Sequence, residues 1–113
     1  MVPEQGEVYW AFRDKRRPVV VVSREELNRG RYVIVAPLTT SRLDVRRGMP
    51  NCVYVDGRKN SLKDCVVQVE LLTHLPVEDL EMERGPISAL DGELVREIIR
   101  AVGHVMAAAC EPL

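Results

Sequence analysis

The chain has 113 residues, of which 46% are hydrophobic and 29% charged, and a formal net charge of -1. That size and mixture suit a single domain over residues 1–113 with one buried core, and argue against a disordered or fibrous chain. No apolar run approaches the ~20 residues a membrane helix needs, and the opening MVPEQGEVYW reads as no secretory signal.

Residues 7–12, EVYWAF, set Val8, Trp10 and Phe12 against Glu7, Tyr9 and Ala11, which predicts a strand with one strongly apolar face. Residues 13–17, RDKRR, form a short turn that packs four Lys/Arg into five positions. Four valines follow Pro18, and a run of Val predicts a strand buried on both faces over 18–22. Pro18 takes its first position, where a missing N–H matters least. In SREELNRG, Ser23 and Glu26 have the spacing of a capping box and Gly30 closes the far end, so one or two helical turns are expected. RYVIVAPLT, 31–39, is a third strand. TSRLDVRRGMP, 40–50, has no period and holds three arginines, a Gly and a Pro, which predicts a flexible loop.

NCVYVDG (51–57) and DCVVQVELL (64–72) read as strands joined by the polar turn GRKNS, and PVEDL as a single helical turn. In the last segment Ser88 and Asp91 resemble a capping box, with Ile87 as a staple. Leu94, Val95, Ile98, Ile99, Val102 and Met106 then fall on one helical stripe. Gly103 inside it suggests the close approach of another backbone. Five strands and one helix make a curled antiparallel sheet, or partly open barrel, with the helix packed against it.

The near-zero net charge hides an asymmetry. Residues 1–63 carry 13 Lys/Arg and 7 Asp/Glu, whereas residues 64–113 carry 3 and 10. A positive face of this kind suits a polyanion. Cys52, Cys65 and Cys110 form no CxxC pair, which suits reduced core residues of a cytosolic protein. His74 and His104 are thirty residues apart, so neither a metal nor another cofactor is expected. Two stretches remain for chemistry, RRP (16–18) and PLTTS (37–41). Antiparallel pairing of 18–22 with 31–38 would bring Arg17 and Thr39 together. An arginine fork suits phosphate oxygens, and strand-end hydroxyls can donate to the same oxygens. From spacing alone, a surface arginine beside threonines that cap a turn is the simpler account of these residues.

Taken in order, GEVYW (6–10), RRPVVVVS (16–23), VIVAPLTTS (33–41), CVVQVELLTHLP (65–76) and GPISALDGELVREIIRAV (85–102) resemble the MazF/PemK family of toxin–antitoxin ribonucleases. The resemblance implies an SH3-like, CcdB/PemK-like barrel with a C-terminal helix, acting as a cytoplasmic homodimer. It implies metal-independent cleavage of single-stranded RNA, such as mRNA, to 2′,3′-cyclic phosphate and 5′-hydroxyl ends. It also implies a cognate antitoxin that lays a disordered, acidic and apolar segment across the dimer. By the family's pattern, Arg17 and Thr39 carry the catalysis. Glu70 stands where many relatives have the aspartate of a CDQ element and is expected to move a proton or orient Arg17. Asp14 and His74 are further candidates for the proton. Arg16, Thr40, Ser41, Arg42, Arg46 and Arg47 are expected to hold the RNA.

With only five aromatic residues, base stacking is expected to contribute little and binding to be mainly ionic. The first loop, RDKRR, is shorter than the family's usual covering loop. That leaves a catalytically silent, protein-binding member of the fold as one alternative. A CcdB-like gyrase poison is another. It fits less well, because that family makes its key contact with a C-terminal tryptophan, while this chain has Trp10 and ends MAAACEPL.

Overall fold

The valine run lies at the centre of the molecule. In the computed structural model, which describes residues 1–12 and 14–107, β1 (Glu7–Phe12) and β2 (Arg16–Val21) form a hairpin, with Val8 opposite Val20 and Phe12 opposite Arg16. Val19, Val20 and Val21 are 4%, 0% and 1% exposed, so both faces of β2 are covered. Burying each valine contributes roughly 1.5 kcal/mol or more. The cations beside them stay outside, since an unpaired buried charge costs several kcal/mol.

The other elements are α1 (Glu25–Asn28), β3 (Tyr32–Thr39), α2 (Leu43–Arg46), β4 (Cys52–Val55), α3 (Gly57–Asn60), β5 (Cys65–Gln68), β6 (Thr73–Pro76), β7 (Ser88–Ala89) and α4 (Gly92–Met106). The strands run antiparallel in the order β4-β5-β3-β2-β1-β7, with β6 also on β3. β3 curls the sheet. Its first half pairs with β2 and β6, and its last two residues, Leu38 and Thr39, pair with Val67 and Val66 of β5. One face holds Val8, Val20, Ala36, Val55 and Val67 beneath Ile98 and Ala101 of α4. The other holds Tyr9, Val19, Val21, Val33, Val35, Leu75 and Leu80. A curled antiparallel sheet with a C-terminal helix was the architecture expected.

Several local expectations are corrected. There are seven strands among the described residues, not five. THLP and the dipeptide at 88–89 are too short to show a period, and they exist because β3 and β1 offer them open edges. β2 begins at Arg16, two residues early, because the hairpin ladder extends through it. Ser23 does not cap α1. Its Oγ turns inward to the buried Asn28 and accepts the Ile34 N–H at 2.9 Å. The 40–50 segment is not all loop, since it folds the turn α2, entered through Arg42 at φ 54°.

GRKNS is helical (α3), capped by the Asp56 carboxylate, which accepts the Arg58 N–H. Gly57 is required there, because a Cβ would lie 2.2 Å from the Leu62 carbonyl oxygen. Ser88 belongs to β7 and donates to the Asn60 carbonyl, so Asp91 alone caps α4, accepting the Leu94 N–H at 2.9 Å. DCVVQVELL divides into β5 and a 3-10 turn at Val69–Leu71. Ile99 and Met106 leave the buried stripe, and a Cβ at Gly103 would meet open space rather than another backbone. Cys110 lies outside the described residues.

Candidate active site

The cationic cluster sits at the end of the β1–β2 hairpin, and side-chain alternation along β2 splits it between two faces. Arg17 shares its face with Val19 and lines a hollow of about 260 Å³ with Asp14, Lys15, Pro37, Leu71 and Thr73. It is exposed and makes no hydrogen bond or ion pair among the described residues. An arginine fork in this state is available to an outside anion.

Arg16 points the other way and is occupied. Its Nε and Nη2 donate to the two Glu81 carboxylate oxygens at 2.8 and 3.1 Å. Its guanidinium lies 4.3 Å from the centroid of the Trp10 ring. The bond to Arg16 holds the Glu81 carboxyl below its usual range. Arg16, expected to hold RNA, has its fork engaged within the chain in this structure.

Thr39 ends β3. The β2–β3 ladder pairs Val19 with Pro37 and would, if continued, bring Arg17 level with Thr39. The side chains nevertheless line different hollows. Thr39 and Thr40 border a hollow of about 640 Å³ that also includes Trp10, Pro18, Leu38 and Lys63. Arg17, Pro18 and Thr39 thus form the rim between two depressions, with no hydrogen bond joining Arg17 to Thr39.

The Thr39 hydroxyl oxygen accepts the Ser41 N–H at 3.1 Å and an Arg46 N–H at 3.5 Å. Arg46 also donates to the Ser41 carbonyl at 3.0 Å. Thus Arg46, expected in a flexible loop, is turned inward by α2 and ties down the threonine turn. Arg47 leaves in another direction and stacks 3.8 Å from the Tyr54 ring centroid. Arg42 and Ser41 are exposed.

Glu70 is exposed in the Val69–Leu71 turn, whose Val69 is buried, and accepts from the Asn51 amide. It makes no bond to Arg17, so the expected orienting contact is absent from this chain. Burial pushes the Cys52 thiol up, with Glu70 adding to the rise and Arg46 opposing it. His74 lies across the sheet from Ile34, with its ring edge against Tyr32 at 5.5 Å. Of the proton candidates, Asp14 alone lines the hollow that holds Arg17. Thr73 and Trp10 border the two hollows and were not singled out from the sequence. Trp10 looked like an ordinary core position of an alternating strand, and nothing local distinguishes Thr73. No group of three or more His, Cys, Asp or Glu among the described residues is placed to hold a metal ion.

A curled antiparallel sheet, a long C-terminal helix and an arginine-bearing rim define a small β-fold protein with a cationic edge at one end of its sheet. Residues 4–106 match the family described as PemK-like, MazF-like toxin of type II toxin–antitoxin system, and the chain belongs to that family. It is similar to endoribonuclease MazF6 of Mycobacterium tuberculosis, 28% identical over 115 residues, which span 94% of this chain and 98% of the relative. The solved structure of the Mycobacterium tuberculosis toxin MazF-mt6 matches with a TM-score of 0.73 at 29% identity, covering 88% of this chain and 94% of that one. A mycobacterial endoribonuclease solved in complex with its cognate antitoxin shares the fold, with a TM-score of 0.79 at 22% identity over 96% and 99% of the two chains.

Proposed function

We propose that this toxin is an endoribonuclease that cleaves single-stranded RNA by attack of the 2′-hydroxyl on the adjacent phosphorus. The O2′–P bond forms and the P–O5′ bond breaks. The 2′ proton leaves, the departing O5′ gains one, and the products carry a 2′,3′-cyclic phosphate and a 5′-hydroxyl. The observation that carries this reading is the Arg17 guanidinium, without a partner among the described residues and beside Lys15, on the rim of a family-typical sheet. Charge builds on the phosphoryl oxygens as the bond forms, and a fixed cationic fork stabilises it more in the transition state than in the substrate.

Thr39, held in place by Arg46 and Ser41, supplies a hydroxyl at the opposite side of the rim. Asp14 is the carboxylate best placed to take or return the proton. The protein works as a cytoplasmic homodimer. It is silenced by an antitoxin, a reading supported by the mycobacterial endoribonuclease of like fold that was solved with its cognate antitoxin. Because the nucleophile belongs to the substrate, the reaction asks for no metal. Purified protein incubated with a long single-stranded RNA in EDTA should cut it and leave DNA intact. Activity lost in chelator and restored by Mg²⁺ would overturn the mechanism. No cleavage of any RNA would favour the catalytically silent alternative.

A further inference from the structure

We propose that the cleft between α4 and β4 is a phosphate-binding site, separate from the rim that carries Arg17. The cleft encloses about 590 Å³, and cations from two parts of the chain border it. Arg47 comes from the end of α2, while Arg100 and His104, one helical turn apart, come from α4. Glu97 is the one carboxylate among the described residues that line it. Glu97, His104 and Cys52 all border the cleft, yet no group of three such side chains among the described residues is placed to hold a metal ion.

The state of the arginines marks the cleft. Arg47 lies 3.8 Å from the Tyr54 ring centroid, and its side chain makes no hydrogen bond or ion pair among the described residues. The Tyr54 hydroxyl is hydrogen-bonded to Asp64, which tethers the ring at its far end. A guanidinium stacked on an aromatic keeps its planar fork for phosphate oxygens. A seat fixed beforehand also spares part of the ordering cost of binding. Arg100 stands three residues from Glu97 on the helix, a spacing that permits an ion pair, yet it forms none. A phosphate offers several acceptor oxygens, so donors on both walls can share it. Buried Cys52 and Val53 also line the cleft, and a poorly solvated surface strengthens attraction between the cations and a phosphate. The cleft adjoins the threonine turn without belonging to it. Arg46, the residue before Arg47, donates to Thr39 and also acts electrostatically on the Cys52 thiol. The phosphate can therefore come from a strand that crosses the rim or from a small free phosphate compound.

Binding needs no cleavage, so the site stands or falls apart from the ribonuclease reading. Arg17→Ala removes the rim fork, and calorimetric titration of that variant with inorganic tripolyphosphate should still show binding. Adding Arg47→Ala or Arg100→Ala should weaken it roughly tenfold, the equivalent of one charge-assisted hydrogen bond. Arg47→Lys should retain only part of the affinity, because an ammonium lacks the fork. Glu97→Gln should strengthen binding, since a negative charge leaves the wall. Arg47, Glu97 and Arg100 are exposed, so these variants should keep the wild-type fold, which circular dichroism checks.

Uncleavable 2′-O-methyl RNA then identifies the source of the phosphate. If a strand supplies it, the paired substitution Arg47→Ala and Arg100→Ala should make the salt slope of RNA binding shallower by about 0.7, one phosphate's share. If a free compound supplies it, that slope stays while the tripolyphosphate affinity still falls. No tripolyphosphate binding by Arg17→Ala, or an affinity that neither alanine substitution lowers, would overturn the site.

Discussion

Arg16 and Arg17 are adjacent in sequence, both exposed and both at the start of β2, yet they do opposite work. Arg17 faces an open hollow and has no hydrogen-bond or ion-pair partner among the described residues. Arg16, one residue earlier and so on the other face of the strand, spends its fork on Glu81 and its flat side on Trp10. Strand alternation alone separates a guanidinium open to an outside anion from one built into the scaffold.

The sharpest way to break this comparison is to remove each arginine. Arg17→Ala should reduce RNA cleavage about 100-fold or more, the scale seen when one preorganised donor is lost. Arg17→Lys should recover only part, because an ammonium lacks the fork. Arg16→Ala should cost far less turnover. Equal losses in single-turnover assays would mean that both forks touch the phosphate.

A second pair, Arg46 and Arg47, repeats the contrast. Arg46→Ala removes the donor to Thr39 and to the Ser41 carbonyl. It should lower the cleavage rate at saturating RNA by roughly tenfold, the equivalent of one charge-assisted hydrogen bond. Arg47→Ala should leave that rate alone. If Arg47 meets a phosphate, the salt slope of binding should become shallower by about 0.7. Rates and slopes measured for both variants would separate the two roles.

A smaller effect concerns acid. Glu81 is held below its usual range by Arg16, so the stability the pair contributes is present above roughly pH 4.3, the ordinary glutamate value. That stability is lost as pH falls through Glu81's lowered value. Trp10 emission in the wild type should therefore show a titration below that pH, and Glu81→Gln should abolish it. A transition that survives in Glu81→Gln would assign the change to another group.

The smallest expected effect is chemical. Burial, helped by the neighbouring Asp64, pushes the Cys65 thiol up to about 11. Its thiolate is then scarce at neutral pH, and mass mapping after brief iodoacetamide treatment of the native protein should find Cys65 unmodified. Cys65 lines the Thr39-side hollow, so rapid labelling there would mean that reagent reaches the thiol through it.

The amino-acid sequence by itself determined the sheet's centre and the terminal helix. Four consecutive valines can be satisfied only by covering both faces of a strand, and the stripe from Leu94 to Val102 has to lie on something apolar. It also placed Arg17 and Thr39 at facing strand ends, since pattern and turn length set antiparallel neighbours. Tertiary structure alone decided what each polar group does there. Ser23, which read as a cap, became the partner of Asn28, 2% exposed, because an inward hydroxyl and amide had to satisfy one another. Arg16 met Glu81, 65 positions away, and Arg46 met Thr39 across α2. Hydrophobic periodicity is written in neighbouring residues. The pairing of polar side chains depends on which distant segment the fold brings within hydrogen-bond reach, and no local pattern carries that distance.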